Sequence, residues 1–86
     1  MACVAIACGA GGTLLHDAVR ARADVLLTGE MRFHDYLAAL AQGIALVLPG
    51  HYATERCGVE ELARALQEKW ADLEVWASRR ERDPVN

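Results

Sequence analysis

The sequence predicts an α/β fold with a mainly parallel four-stranded sheet and helices on both faces, in the order β-α-β-α-β-α-β. Three observations carry that expectation. Short apolar runs without polar alternation recur along the chain, as in strands buried on both faces. Helical periodicity fills the stretches between them. Glycines mark the junctions, where strand-to-helix turns call for unusual backbone angles.

Val4 to Cys8 is the first such run, ended by Gly9. The stretch GAGG then opens a helical pattern with Leu14, Leu15, Ala18, Val19 and Arg22 at helical spacing. Asp24 leads into the second strand, VLLTGE. A helix follows from about Arg32 to Gln42, with Phe33, Leu37 and Leu40 on one face and Gly43 as its C-cap. IALVLPG is the third strand. The longest helix is expected to begin near Tyr52 or Ala53 and run to about Trp70, burying Leu62, Leu66 and Trp70. LEVWAS supplies a fourth strand before a charged tail. Parallel strands joined this way need right-handed crossovers.

The 86 residues make one domain, residues 1–86, with a modest core. The formal charge of −3 leaves no basic footprint for nucleic acid, and Arg79, Arg80 and Arg82 are interrupted by Glu81 and read as a solvated tail. No apolar stretch reaches the roughly 18–20 residues that span a bilayer, and no basic residue precedes MACVAIACGAGG as in a signal peptide. Cys3, Cys8 and Cys57 are odd in number and lack C-x-x-C spacing, so no disulfide framework is expected. Cys8 fits a small buried thiol, and Cys57 has no partner nearby. The expectation is a soluble, cytoplasmic domain with neither nucleic acid nor membrane as a partner.

In a parallel α/β sheet, ligands bind at the carboxyl ends of the strands. The chemically interesting residues all fall there: Gly9 to Gly12, Thr28 to Glu30, and Gly50 to Glu55. Gly9, Gly11 and Gly12 leave backbone N–H groups free at a helix start, where an anion can bind, or simply make a tight turn. Glu30 and His34 pair a carboxylate with an imidazole, a set suited to proton transfer. Their plainer roles are a helix-capping acid and a partly exposed histidine. His16 and Asp17 are adjacent on a helix, point in different directions and suit a solvated face. His51 and Glu55, in GHYATER, lie four residues apart at a helix start. Such a pair shares one helical face and can hold a divalent metal, or form a surface pair.

The runs GAGG, ADVLLTGEMRFHD, GIALVLPGHYATER and VWASRRERDPV cover nearly the whole chain in unbroken order. Together they resemble the C-terminal half of the Nif-three-like dinuclear metal-centre family, whose members are also known as GTP cyclohydrolase I type 2 homologues. GHYATER is the most specific of these motifs, with TGE and DPV in support. The resemblance implies that His51 and Glu55 are metal ligands. It also implies two divalent ions (zinc, iron or manganese) in the complete site. The remaining ligands would come from a His-His-Pro motif and an Asp of an N-terminal half, and this sequence has no His-His-Pro. Cys57 stands where the family usually has Pro.

The resemblance implies a metal-dependent, GTP cyclohydrolase-like hydrolase in the complete form. Glu30 and His34 would then be proton-transfer groups, and the glycine loop would accept a phosphate of a small phosphorylated or nucleotide substrate. The chain is expected to join a homo-oligomer or a complementary N-terminal half, and to be inactive alone. A non-catalytic protein-interaction or metal-handling module is the alternative.

Overall fold

The structure, a computed structural model, describes residues 2–85. In chain order it comprises β1 (Val4–Ala10), a 3-10 turn (Gly12–Leu14), α1 (Leu15–Arg20), β2 (Val25–Glu30), α2 (Phe33–Gln42), β3 (Ala45–Val47) and α3 (His51–Lys69). The strands form one parallel sheet in the order β1-β2-β3. Ile6 lies beside Leu27, and Leu27 beside Val47. Both crossovers advance the sheet in the same direction, so right-handedness puts α1 and α2 on one face.

The core lies between those helices and the sheet. Leu15 and Ala18 of α1, Leu26 of β2, Ala39 of α2 and Ile44 ahead of β3 are buried together. Ala39 is fully enclosed, which lets the backbone of α2 come close to its neighbours. Strand residues that point the other way, Val4, Ile6 and Val47, remain exposed. Gly43 ends α2 in the left-handed conformation, its N–H returning to Leu40 O, as the sequence predicts.

The fourth strand does not form. Within residues 73–78 the backbone pairs with α3 rather than with a sheet edge: Gln67 donates to Leu73 O and accepts from Val75 N–H. One side-chain amide thus takes the donor and acceptor that a neighbouring strand would have used. Arg56 holds the next stretch, donating to Ser78 O and pairing with Glu81. The LEVWAS run is therefore a strap along α3.

The expected apolar faces of two helices also differ. Phe33, Leu37 and Leu40 are 72%, 51% and 79% exposed, because α2 turns its alanine side to the sheet. Leu62 on α3 and Trp70 just past its end are exposed and Leu66 is half-buried; the helix has no fully buried residue. At 19 residues α3 is about 28 Å long, whereas the 3-residue β3 it follows spans only about 10 Å. Cys8 is exposed rather than buried, as are Cys3 and Cys57. Arg22 lies past the end of α1 in a left-handed turn, not on the helix. No helix among the described residues is long and apolar enough to cross a membrane.

Because Leu26 is enclosed and Leu40 is not, their truncations should separate clearly. Leu26→Ala is expected to cost about 2–5 kcal/mol in urea denaturation, the usual range for a cavity at a buried leucine. Leu40→Ala should stay within about 0.5 kcal/mol of the parent. Equal losses at the two positions would contradict this core.

Candidate metal half-site

The ends of β1 and β2 and the start of α3 meet at one point, and glycine makes the meeting possible. A bulge interrupts β1 between Ala7 and Ala10, so that Cys8 and Gly9 stand opposite Gly29 alone. Gly9 takes a left-handed φ of 69° there. A Cβ at Gly9 would run into Glu55 Oε1 and lie 3.1 Å from His51 Nε2. At Gly29 it would collide with Gly9 O and come within 2.7 Å of both His51 Cα and Thr54 Oγ1. These contacts require bare backbone.

The first turn of α3 is tied to both strands. Gly50 N–H donates to Gly29 O at 3.0 Å, linking the turn to β2. Gly9 N–H donates to Thr54 Oγ1 at 3.0 Å, linking it to β1. The carbonyl of Gly9 accepts from the buried Thr28 hydroxyl at 3.3 Å. Both backbone groups of the bulged residue are thus satisfied by threonine side chains. Gly50 itself has a φ of 118°, which lets the chain reverse from β3 into α3.

These ties bring three predicted site residues together. His51 Nδ1 donates to Glu30 Oε1 at 2.7 Å, and His51 Nε2 lies 3.1 Å from Glu55 Oε1. A neutral imidazole has a single N–H, so a ring with a carboxylate at each nitrogen is best satisfied as the imidazolium. Its pKa is accordingly raised above the ordinary value of 6.5, first by the hydrogen bond to Glu30, which outweighs the opposing desolvation next in size, and further by the charges of Glu55 and Glu30. All three side chains remain about half exposed.

A cavity of about 510 Å³ opens over this group, lined by Glu30, Gly50, His51, Tyr52, Glu55, Asp83, Pro84 and Val85. The strap along α3 delivers Asp83, Pro84 and Val85 to it, and Val85 N–H donates to Asp83 Oδ1 at 2.9 Å. Among the described residues no lysine or arginine lines the cavity, so its rim is acidic.

The other predicted residues lie elsewhere. Glu30 ends β2 and does not belong to α2, so it shares no helical face with His34. His34 pairs instead with Asp35 at 3.6 Å, beside a separate cleft of about 370 Å³ that His16 and Arg32 also line. Gly9, Gly11 and Gly12 have packing partners: Gly9 against His51 and Glu55, Gly11 against Thr28, Gly12 against Asp35. Among the described residues, no three or more His, Cys, Asp or Glu side chains are grouped so as to hold one metal ion. Thr28, Tyr52 and Thr54 lie within the stretches that the sequence singles out, but none of them has an individual role predicted there. Thr54 has a usable signal there, since positions 51, 54 and 55 share one helical face.

Known proteins match both the sequence and the fold. The family model for Duf34/NIF3 (NGG1p interacting factor 3) matches residues 1–84. The GTP cyclohydrolase 1 type 2 homolog of Pyrococcus horikoshii is 40% identical over 67 residues, which are 78% of this chain and 26% of that protein. NIF3-like protein 1 of Mus musculus is 37% identical over 83 residues, 95% of this chain and 21% of that protein. Among solved structures, the Bacillus cereus protein related to NIF3 superposes with a TM-score of 0.82 at 33% identity, over 94% of this chain and 23% of that one. Staphylococcus aureus protein SA1388 gives a TM-score of 0.81, also at 33% identity, with 94% and 27% covered. The chain spans about a quarter of the length of the curated relatives it matches.

The raised His51 pKa has a definite sign for stability. The folded protein binds this proton more tightly than the unfolded chain does. The resulting stabilisation is complete below the ordinary value of 6.5 and is lost as pH rises through the raised one. Urea midpoints of the metal-free protein should therefore fall over that interval, and Glu30→Gln should flatten the dependence. A contribution of His51 that grows with pH would contradict the arrangement.

Proposed function

The chain belongs to the Duf34/NIF3 family, and from that premise we propose that it contributes one half of a dinuclear metal centre, with His51 and Glu55 as the ligands. The observation that carries this reading is the orientation of the imidazole. Glu30 engages Nδ1 at 2.7 Å, which leaves Nε2 facing the Glu55 carboxylate at 3.1 Å. Metal-binding histidines commonly use their second nitrogen in this way, and a carboxylate there fixes the tautomer and raises the basicity of the ligating nitrogen. Bare Gly9 backbone keeps the space beside both donors free of a side chain.

The donor set fits half a site. His51 and Glu55 supply two ligands where a protein-bound zinc normally takes at least three. Mixed imidazole and carboxylate ligation suits zinc, iron or manganese alike. The other ligands would come from a complementary N-terminal half or from another subunit of a homo-oligomer. A divalent ion bound there would supply a nucleophilic water for hydrolysis. In that complete form Glu30 would hold the His51 ring and take part in proton balance, which extends its predicted proton-transfer role. His34, beside its own cleft, would act only on a portion of substrate reaching that far. The GTP cyclohydrolase name of the relatives points to a nucleotide substrate, whose phosphates would need metal to offset the acidic rim.

A non-catalytic interaction or metal-handling role is the second reading. It is favoured by the apolar residues Phe33, Leu37 and Leu40, which line one exposed side of α2.

Isothermal titration with zinc or manganese tests the first reading. The chain alone should bind one ion with micromolar or weaker affinity. His51→Ala and Glu55→Ala should abolish binding, and Glu30→Gln should weaken it about ten- to a hundred-fold. Binding that survives His51→Ala unchanged would sink the assignment.

A further inference from the structure

We propose that Thr54 is the positioning residue of this half-site, its hydroxyl fixing the first turn of α3 to the bulge of β1 so that His51 meets Glu30 and Glu55 together. The role in ligation rests on the metal reading above; the positioning itself does not.

Among the described residues, two hydrogen bonds besides the His51–Glu30 contact itself tie the first turn of α3 to the sheet: the backbone bond from Gly50 to Gly29 on β2, and that from Gly9 on β1 to Thr54. With the first alone, the helix could pivot about Gly50, whose φ of 118° already marks a bend in the chain. Apolar packing gives little resistance to such a pivot, because α3 has no fully buried residue. Glu30 belongs to β2 and His51 to α3, so a pivot would change their separation directly. The second tie removes that freedom.

The Thr54 hydroxyl is saturated in a way that suits this task. Its single proton goes to the carbonyl of Gly50 or His51, each 3.0 Å away, and its lone pair accepts from Gly9 N–H. The back-bond within the helix aims the oxygen at the bulge. Gly29 packs so closely against Thr54 Oγ1 that a Cβ there would lie 2.7 Å from it, and the hydroxyl has little room to move. Serine could make the same bonds, whereas valine keeps the shape and loses them.

The test is NMR and zinc titration on the chain with Thr54→Val and Thr54→Ser. In the metal-free parent, above the imidazole titration, 15N shifts should show His51 held as the Nδ1–H tautomer. Thr54→Val should lose that preference and bind zinc about ten- to a hundred-fold more weakly. Thr54→Ser should restore both. A valine variant that keeps the tautomer and the zinc affinity, and loses only melting temperature, would overturn the proposal. Hydrogen exchange at Gly9 in the parent gives an independent check that needs no variant. Its amide should be protected, and free exchange there would equally overturn the proposal. If the parent binds no zinc while its tautomer still depends on Thr54, the metal reading fails and the positioning role stands.

Discussion

Backbone approaches so closely where β1, β2 and α3 meet that two residues there must be glycine, and the rest of the site depends on that approach. A side chain at Gly29 would push His51 Cα and Thr54 away from the sheet. One at Gly9 would occupy the space taken by the Glu55 carboxylate. The bulge that admits Gly9 also takes its amide and carbonyl out of the ordinary ladder, and buried polar groups must be paired elsewhere. Thr28 and Thr54 do so. The same contacts that solve a backbone problem therefore dock α3.

That docking sets the electrostatics. Two carboxylates on opposite nitrogens favour the protonated form of His51, and a metal ion at Nε2 would compete with the proton there. Glu30 would serve both states, because Nδ1–H could donate to it whether Nε2 carried a proton or a metal. Glu30 thus differs from Glu55 in kind, although both lie within hydrogen-bond reach of one ring. Glu55 shares a helix with His51 and moves with it; Glu30 is carried by a strand and fixes the ring relative to the sheet.

The parallel order of the first three strands, the α2 cap at Gly43 and the convergence of residues 9, 30, 51 and 55 were all legible in the sequence, because strand ends and glycines have local signatures. The fourth strand was not, since LEVWAS has strand composition and only tertiary context shows that Gln67 takes its backbone groups. Phe33, Leu37 and Leu40 illustrate a different limit. Periodicity shows that residues share a face, but not which face meets the sheet, and α2 also has an alanine side that packs more closely. Glu30 and His34 are four residues apart, a spacing that has meaning only within one helix, and Glu30 lies on a strand. The bond from Glu30 to His51 crosses 21 positions, so no local pattern could reveal it.

The core and the site are held by different means. Leu15, Leu26 and Ile44 hold α1 and α2 to one face of the sheet through apolar burial. The α3 junction relies on hydrogen bonds to Gly9 and Gly29 and on the absence of side chains there. Apolar packing is tolerant of small shifts in direction, whereas a hydrogen bond weakens steeply as its angle departs from linearity. The separation of His51 from Glu30, which lie on different elements, is therefore better fixed by the second kind of contact.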